Sequence, residues 1–403
     1  MDASVCHAGQ SHPRIVRPAT ICVNGVPCES ALELWSVDGH ANMLRCHVWG
    51  QPSKTYGVVM MRVALLGVGY WGAKLLRNLV GLVGADQVTA VDPDPARLEW
   101  VRRHYPSVAR RSSLAAALAG GDVEAVVVAT PVRTHPEYVR TALEAGCHVL
   151  VEKPLATSTA EAVALAELAD RLGRVLMVGH TFLFSPRVRW IFRRLTTTGI
   201  GQLHYLMSSR LNLGPHRDDA SVVWDLAPHD VAIVLRLLGE TPVTVSANAR
   251  SVVTAGIPDV AFVDLTFPSG VIASLAVSWL APRKVRNLVI VGDESMIVYD
   301  DIEPDEPVKV YDKGMALEPS PDFGADQLTY RYGDTVAPHI AVQEPIMEQI
   351  THFAECVAAG KRPISDGWFG TRVIAALEAA DRSWRDGGRA IEVEAVTATE
   401  WST

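Results

Sequence analysis

The run Gly67-Val68-Gly69-Tyr70-Trp71-Gly72 places glycine where a chain must turn tightly and admit a phosphate. Gly67 permits the turn, Gly69 gives a pyrophosphate access to the backbone, and Gly72 lets the following helix pack close to the preceding strand. The phosphates are then left at a helix amino terminus, with Tyr70 and Trp71 beside them. Asp92 stands 20 residues beyond Gly72, at the end of the next strand, where a carboxylate accepts hydrogen bonds from adenosine ribose hydroxyls. A carboxylate there repels a ribose phosphate, and Pro93 follows it rather than Arg, so NAD is preferred over NADP. Arg97 is the nearby cation able to turn toward such a phosphate.

Two further groups carry chemistry. Thr130-Pro131 with His135, then Glu152-Lys153-Pro154, fall at the carboxyl ends of the fourth and fifth strands, outside which ligands of doubly wound sheets lie. Lys153 precedes a proline, so it is held in an extended or turn conformation from which its ammonium can project into the cleft as an electrostatic clamp. His135 caps its helix or packs at the strand end. In Trp224-Asp225-Leu226-Ala227-Pro228-His229-Asp230, Pro228 suits the first turn of a helix starting around Asp225. That helix puts Asp225 and His229 on one face, one turn apart. A base with its orienter fits this spacing, since imidazole titrates near neutrality; so does a capping aspartate beside a structural histidine. His180 and Thr181 after the sixth strand, and Arg210 and Asn212 after a strand of the second domain, are candidate contacts for sugar hydroxyls or a diphosphate.

Positioning these residues requires strands alternating with crossover helices. From Arg62 the sequence supplies them: strands at Arg62–Leu66, Gln87–Val91, around Val108, Ala125–Ala129, His148–Val151 and Val175–Val178, with helices after most of them. Gly146 and Gly173 close two of the helices. After about residue 185 the strands alternate faces. Val263, Leu265 and Phe267 share one side, Pro268-Ser269-Gly270 turns, and Val271, Ala273, Leu275, Val277 and Trp279 return. The opposite face is small and semi-polar, a subunit interface or a solvated surface. Glu344–Ala359 and Trp368–Asp386 read as amphipathic helices returning to the first domain. The expected fold class is α/β: a doubly wound parallel sheet of Rossmann type over 61–183, then an α+β domain with a large open mixed or antiparallel sheet over 184–394. Residues 1–60 form an expected poorly ordered extension and 395–403 a tail.

Composition excludes several functions. The 403 residues are 48% hydrophobic, and 37 Lys and Arg face 45 Asp and Glu, a formal charge of −8 without a basic stripe for nucleic acid. Apolar runs such as Ala125–Ala129 fall short of the roughly 20 residues that cross a bilayer. No secretory signal is readable, so a cytoplasmic enzyme is expected. Cys6, Cys22, Cys28 and Cys46, with His40 and His47, lack the paired spacing of structural zinc, so no metal is expected.

Together the three constellations resemble the Gfo/Idh/MocA family of NAD(P)-dependent sugar and cyclitol dehydrogenases, over about residues 61–394. The resemblance implies an active site between the domains and a subunit interface on the open sheet, giving a homodimer or homotetramer. It also implies that Lys153 contacts the reacting hydroxyl, that Asp225 is its aspartate partner and that His229 is the acid/base. Ser221-Val222-Val223-Trp224 stands where glycines are frequent in the family. With Arg210-Leu211-Asn212-Leu213-Gly214-Pro215 it looks like a branch found in amino-sugar and antibiotic-sugar biosynthesis. The expected activity is oxidation of a ring hydroxyl, such as C3 of a nucleotide-hexose or aminoglycoside sugar, to a ketone that serves transamination. An inositol dehydrogenase, an NAD(P)H-dependent ketoreductase and a non-catalytic dinucleotide-binding regulator are the rival readings.

Overall fold

The structure, a computed structural model, describes residues 22–23, 26–27, 61–214, 216–218, 220–319 and 326–396. The chain divides into two units, Met1–Val58 and Val59–Thr403. In the first, β1 (Cys22–Val23) pairs antiparallel with β2 (Val26–Pro27). Otherwise the expected extension, the early cysteines and histidines, and the tail beyond residue 396 lie outside the described residues.

The second unit opens with β3 (Val63–Leu66), α1 (Tyr70–Val83), β4 (Val88–Val91), α2 (Pro95–His104), β5 (Ala109–Arg111), α3 (Leu114–Leu118), β6 (Ala125–Val128), α4 (His135–Glu144), β7 (His148–Glu152), α5 (Thr159–Leu172) and β8 (Leu176–Gly179). The six strands are parallel, in the order β5-β4-β3-β6-β7-β8. Every residue of β3, β6 and β8 is buried, as befits strands covered by helices on both faces. The direction of winding reverses between β3 and β6, which opens a crevice at their carboxyl ends. α2 starts where Asp94 accepts the Ala96 N–H and Pro95 fills the first turn. α5 ends at Gly173, whose φ of 61° is left-handed. The five-residue α3 is too short to carry a readable period.

The rest comprises α6 (Pro186–Thr197), β9 (Leu203–Leu213), α7 (Val222–Leu238), β10 (Thr244–Arg250), β11 (Val260–Thr266), β12 (Ile272–Ser278), β13 (Leu280–Gly292), β14 (Met296–Asp300), β15 (Val308–Pro319), β16 (Asp326–Val336), α8 (Pro345–Ala359), α9 (Gly367–Arg385) and β17 (Ile391–Glu392). Nine strands form one mixed sheet, β16-β15-β14-β13-β9-β12-β11-β10-β17, in which β9 and β12 run parallel. Val263 opposes Leu275 and Leu265 opposes Ala273, all buried against helices. The other face leaves Tyr205, Met207, Phe262 and Ile272 exposed.

Two expectations change. α7 begins at Val222, three residues before Asp225, so Pro228 lies inside the helix rather than in its first turn. Arg210 and Asn212 lie within β9 rather than after it. The last two long helices do return: α8 packs on α1, and α9 on α5, β8, α7 and β10. Just before α9, Ser365 lines the free edge of β8, its carbonyl accepting the Val178 N–H at 2.7 Å and its hydroxyl donating to the Val178 carbonyl at 2.8 Å. Among the described residues, no helix is long and apolar enough to cross a membrane.

Candidate active site

At the crevice the backbone itself forms the cradle. Gly67 has φ 87°, and a Cβ there would stand 2.6 Å from the Ala129 carbonyl oxygen. A Cβ on Gly72 would stand 1.9 Å from the Gly67 carbonyl oxygen. A Cβ on Gly69 would find only Arg97 Nη1, at 3.6 Å, so that side of the turn is open to a phosphate. The first turn of α1 holds no acidic side chain against the helix's positive end. This cradle fits a dinucleotide pyrophosphate. Beside it Lys74 lies over the rings of Tyr70, at 4.2 Å, and Trp71, at 4.5 Å.

Asp92 braces the cradle from below. Buried, it accepts the Val68 N–H at 2.8 Å and the Asp94 N–H at 2.9 Å, with Arg97 Nη1 at 3.4 Å. Arg97 is thereby held on the carboxylate rather than turned away from it. Thr130 accepts the Thr134 hydroxyl at 2.8 Å, and Pro131 leads into the turn before α4. His135 takes no free position toward a cofactor: its Nδ1 meets the Pro154 carbonyl at 2.8 Å and its Nε2 the Thr130 carbonyl at 2.9 Å. It ties the two strand-end loops together. Burial lowers its pKa against the opposing pull of those carbonyls.

Lys153 projects from the end of β7 to α7. Its Nζ donates to the Asp225 carbonyl at 2.8 Å and lies 4.0 Å from Asp225 Oδ1. Pro228 lacks the N–H that the Trp224 carbonyl would accept, and the next carbonyl, that of Asp225, faces the lysine. Burial lowers the Lys153 pKa; Asp225 and Glu152 oppose that, while Arg217 and Arg210 add to it. Next to it, burial pushes Glu152 up to about 7 despite the lysine.

The Asp225 carboxylate does not orient His229. Its Oδ2 accepts Trp279 Nε1 at 3.1 Å, and its Oδ1 lies 3.5 Å from Arg217 Nη1. Helical spacing brings both residues to one face, but the carboxylate turns toward Trp279, which follows β12, and the lysine. His229 lies edge-on to Phe182, with ring centroids 4.9 Å apart, and its buried Nδ1 has no partner. Burial, reinforced by Lys153, Arg210, His180 and Arg286, holds its pKa well below the usual value, so the ring is neutral.

The other sugar-contact candidates divide. Arg210 is spent on Asp230, with Nε to Oδ2 at 2.7 Å and Nη2 to Oδ1 at 3.0 Å, and Ser208 donates to the same carboxylate at 2.9 Å. Burial opposes the Arg210 charge, but Asp230 outweighs it and raises the pKa. The guanidinium stacks 4.5 Å from the ring of Phe182, the same ring that His229 meets edge-on. Thr181 donates to Gln349 on α8 at 2.7 Å, and Asn212 lies against Gly214. His180 is buried with both ring nitrogens unpartnered, and burial lowers its pKa to about 3. Sequence reasoning missed Trp279, taken only as a packing residue, and Phe182, Arg217 and Arg286; the polar tip of a buried tryptophan needs an acceptor, which was the available signal. Among the described residues, no three His, Cys, Asp or Glu side chains gather as a metal site.

Comparison with known proteins agrees with this geometry. A family model described as the GFO_IDH_MocA oxidoreductase family, NAD-binding Rossmann fold, matches residues 61–180, and the GFO/IDH/MocA C-terminal domain matches residues 167–298. UDP-N-acetylglucosamine 3-dehydrogenase of Acidithiobacillus ferrooxidans is 29% identical over 323 residues, 79% of this chain and 96% of that protein. Its solved structure, 27% identical, superposes with a TM-score of 0.67 over 81% of this chain and 99% of that one. GenD2 from gentamicin A biosynthesis, solved in complex with NAD, gives a TM-score of 0.70 at 26% identity over 86% of this chain and all 100% of that one. The scyllo-inositol 2-dehydrogenase (NAD(+)) of Bacillus subtilis is 28% identical over 340 residues, 81% of this chain and 95% of that protein.

Proposed function

Because the chain belongs to the Gfo/Idh/MocA oxidoreductase family, we propose that it oxidises a secondary ring hydroxyl, at C3, of a nucleotide-hexose or an aminoglycoside sugar. The product ketone would then serve an aminotransferase. The chain is an NAD-dependent oxidoreductase acting on CH–OH groups. One observation supports the reading: the Lys153 ammonium donates to the Asp225 carbonyl at 2.8 Å, one helical turn before His229, whose buried Nδ1 has no partner.

The cradle of Gly67, Gly69 and Gly72 with Asp92 would hold NAD, whose nicotinamide supplies the acceptor for the departing hydride. Lys153 donates to the reacting hydroxyl and steadies the alkoxide as it forms. His229 takes the hydroxyl proton. Asp225, fixed by Trp279 and Arg217, sets the position of the lysine. The exposed Tyr205, Met207, Phe262 and Ile272 suit the open sheet to pairing with further copies of the chain, as a homodimer or homotetramer. We place the reaction in the cytoplasm.

NADH formation across nucleotide-hexoses, free inositols and aminoglycoside pseudo-oligosaccharides tests the proposal. Turnover in the first or third panel supports it. Turnover of inositols alone overturns the substrate, and silence in all three, with NAD binding intact, overturns the activity.

A further inference from the structure

A second imidazole stands at the same site. The connection from β9 to α7 carries His216, whose Nδ1 lies 2.8 Å from Asp259 Oδ1. Asp259 is buried and its carboxylate is well partnered. Its Oδ2 accepts the N–H groups of Val252 at 2.6 Å and Val253 at 2.9 Å, while its own N–H donates to the Arg250 carbonyl at 2.9 Å. A carboxylate so filled accepts from the imidazole, which puts the ring proton on Nδ1 and the lone pair on Nε2.

Asp259 is also joined to Asp225. Its carbonyl accepts the Trp279 N–H at 2.9 Å, and the Trp279 indole donates to Asp225 Oδ2 at 3.1 Å. The His216 ring meets that indole edge-on, with centroids 5.7 Å apart. Its neighbour Arg217 reaches Asp225 Oδ1 at 3.5 Å. His216 therefore belongs to the wall of the active site, and its side chain is 32% exposed.

The two imidazoles differ in what surrounds them. His229 is buried, has no carboxylate partner, and sits in the field of Lys153, Arg210 and Arg286. It can take a proton but cannot keep one. His216 has a carboxylate on one nitrogen, and its side chain is partly exposed. Oxidation of a secondary alcohol breaks the C–H bond, its electron pair leaving as hydride to reduce NAD, and breaks the O–H bond, its proton leaving to His229. That proton must then reach solvent before the next turnover.

Resting on the function proposed above, we infer that the His216–Asp259 pair is the outlet for this proton, which passes from His229 through cleft water to His216 Nε2 and on to bulk solvent. A different role would make His216 a latch that only pins its loop, and the two roles separate experimentally. His216→Ala and His216→Asn are compared with wild type in a bulky buffer supplemented with increasing imidazole, using a sugar that wild type oxidises. The asparagine keeps a donor for Asp259 but offers no base. The outlet role requires both variants to lose about 10²-fold or more in kcat, to bind NAD as wild type does by fluorescence titration, and to recover in proportion to added imidazole. Asp259→Asn falls between them and wild type. Full activity in His216→Asn, or a loss that imidazole leaves untouched, overturns the outlet. If wild type oxidises no sugar, the proposed function falls and the outlet with it; if only the variants match wild type, the outlet alone falls.

Discussion

The two sides of the cleft are held by different materials. On the cofactor side the shape is backbone: Gly67 turned at φ 87°, Gly72 against the Gly67 carbonyl, and Asp92 bracing the turn through N–H groups. On the proposed substrate side it is side chains in linked networks: Lys153 on Asp225, Asp225 on Trp279 and Arg217, and Arg210 on Asp230. A backbone cradle tolerates any side chain that stays out of it, whereas a side-chain network fails when one member is removed. The first side is suited to one constant ligand, and the second to a substrate that differs among relatives.

The contrast can be broken by substitution. Asp230→Ala leaves the buried Arg210 charge without its counterion and is expected to cost about 3–5 kcal/mol. Denaturant unfolding measures this, and an unchanged midpoint would mean that the substrate side is not held by that network. Lys153→Met removes the clamp but nothing of the cradle. Its turnover should fall by about 2.7–4 kcal/mol in barrier, or 10²–10³-fold, while NAD affinity stays within about threefold; parallel losses in both would erase the division. Gly72→Ala forces a Cβ onto the Gly67 carbonyl and should weaken NAD by about 2–3 kcal/mol, read by fluorescence titration of the folded variant. Near-normal affinity there would show that the cradle yields.

A last effect, on acid stability, concerns the buried imidazoles. Burial holds His180 at about 3 and His352 at about 4 when folded, against about 6.5 unfolded. Below about pH 6.5 the unfolded chain binds more protons, so stability present above that pH declines as the pH falls toward 4. For His180 the slope is about 1.4 kcal/mol per pH unit. Thermal unfolding between pH 7 and 4.5 checks the sign, and His180→Gln should flatten the curve.

The cofactor side was legible because glycine at fixed spacing constrains backbone, and backbone follows sequence locally. Gly67, Gly69, Gly72 and the strand end at Asp92 are all read within one β-α-β unit. The substrate side was less so. Spacing placed Asp225 and His229 on one helical face, but it does not say where a carboxylate turns, and Asp225 turned to Trp279. The proline rule set the start of α7 too late, because Pro228 stands in the helix interior here. Arg210 read as a ligand contact since nothing local announces Asp230 as its partner. His216 and Asp259 meet only through the order of β9, β12 and β11 in the sheet, which depends on crossovers that no window of sequence contains.

Ser365 lends the six-stranded sheet its final edge, and it is among the last parts of the body to be made. At ribosomal speeds of about 5–20 residues per second, β8 emerges roughly 10–40 s before the segment that covers it. During synthesis the nucleotide-binding half therefore carries an unguarded parallel strand of four fully buried residues, Leu176–Gly179. A bare edge of that kind invites pairing with another nascent chain. The interval between the two segments thus sets how long each newborn molecule depends on dilution or a chaperone, and a message truncated before α9 would release a chain whose sheet never closes.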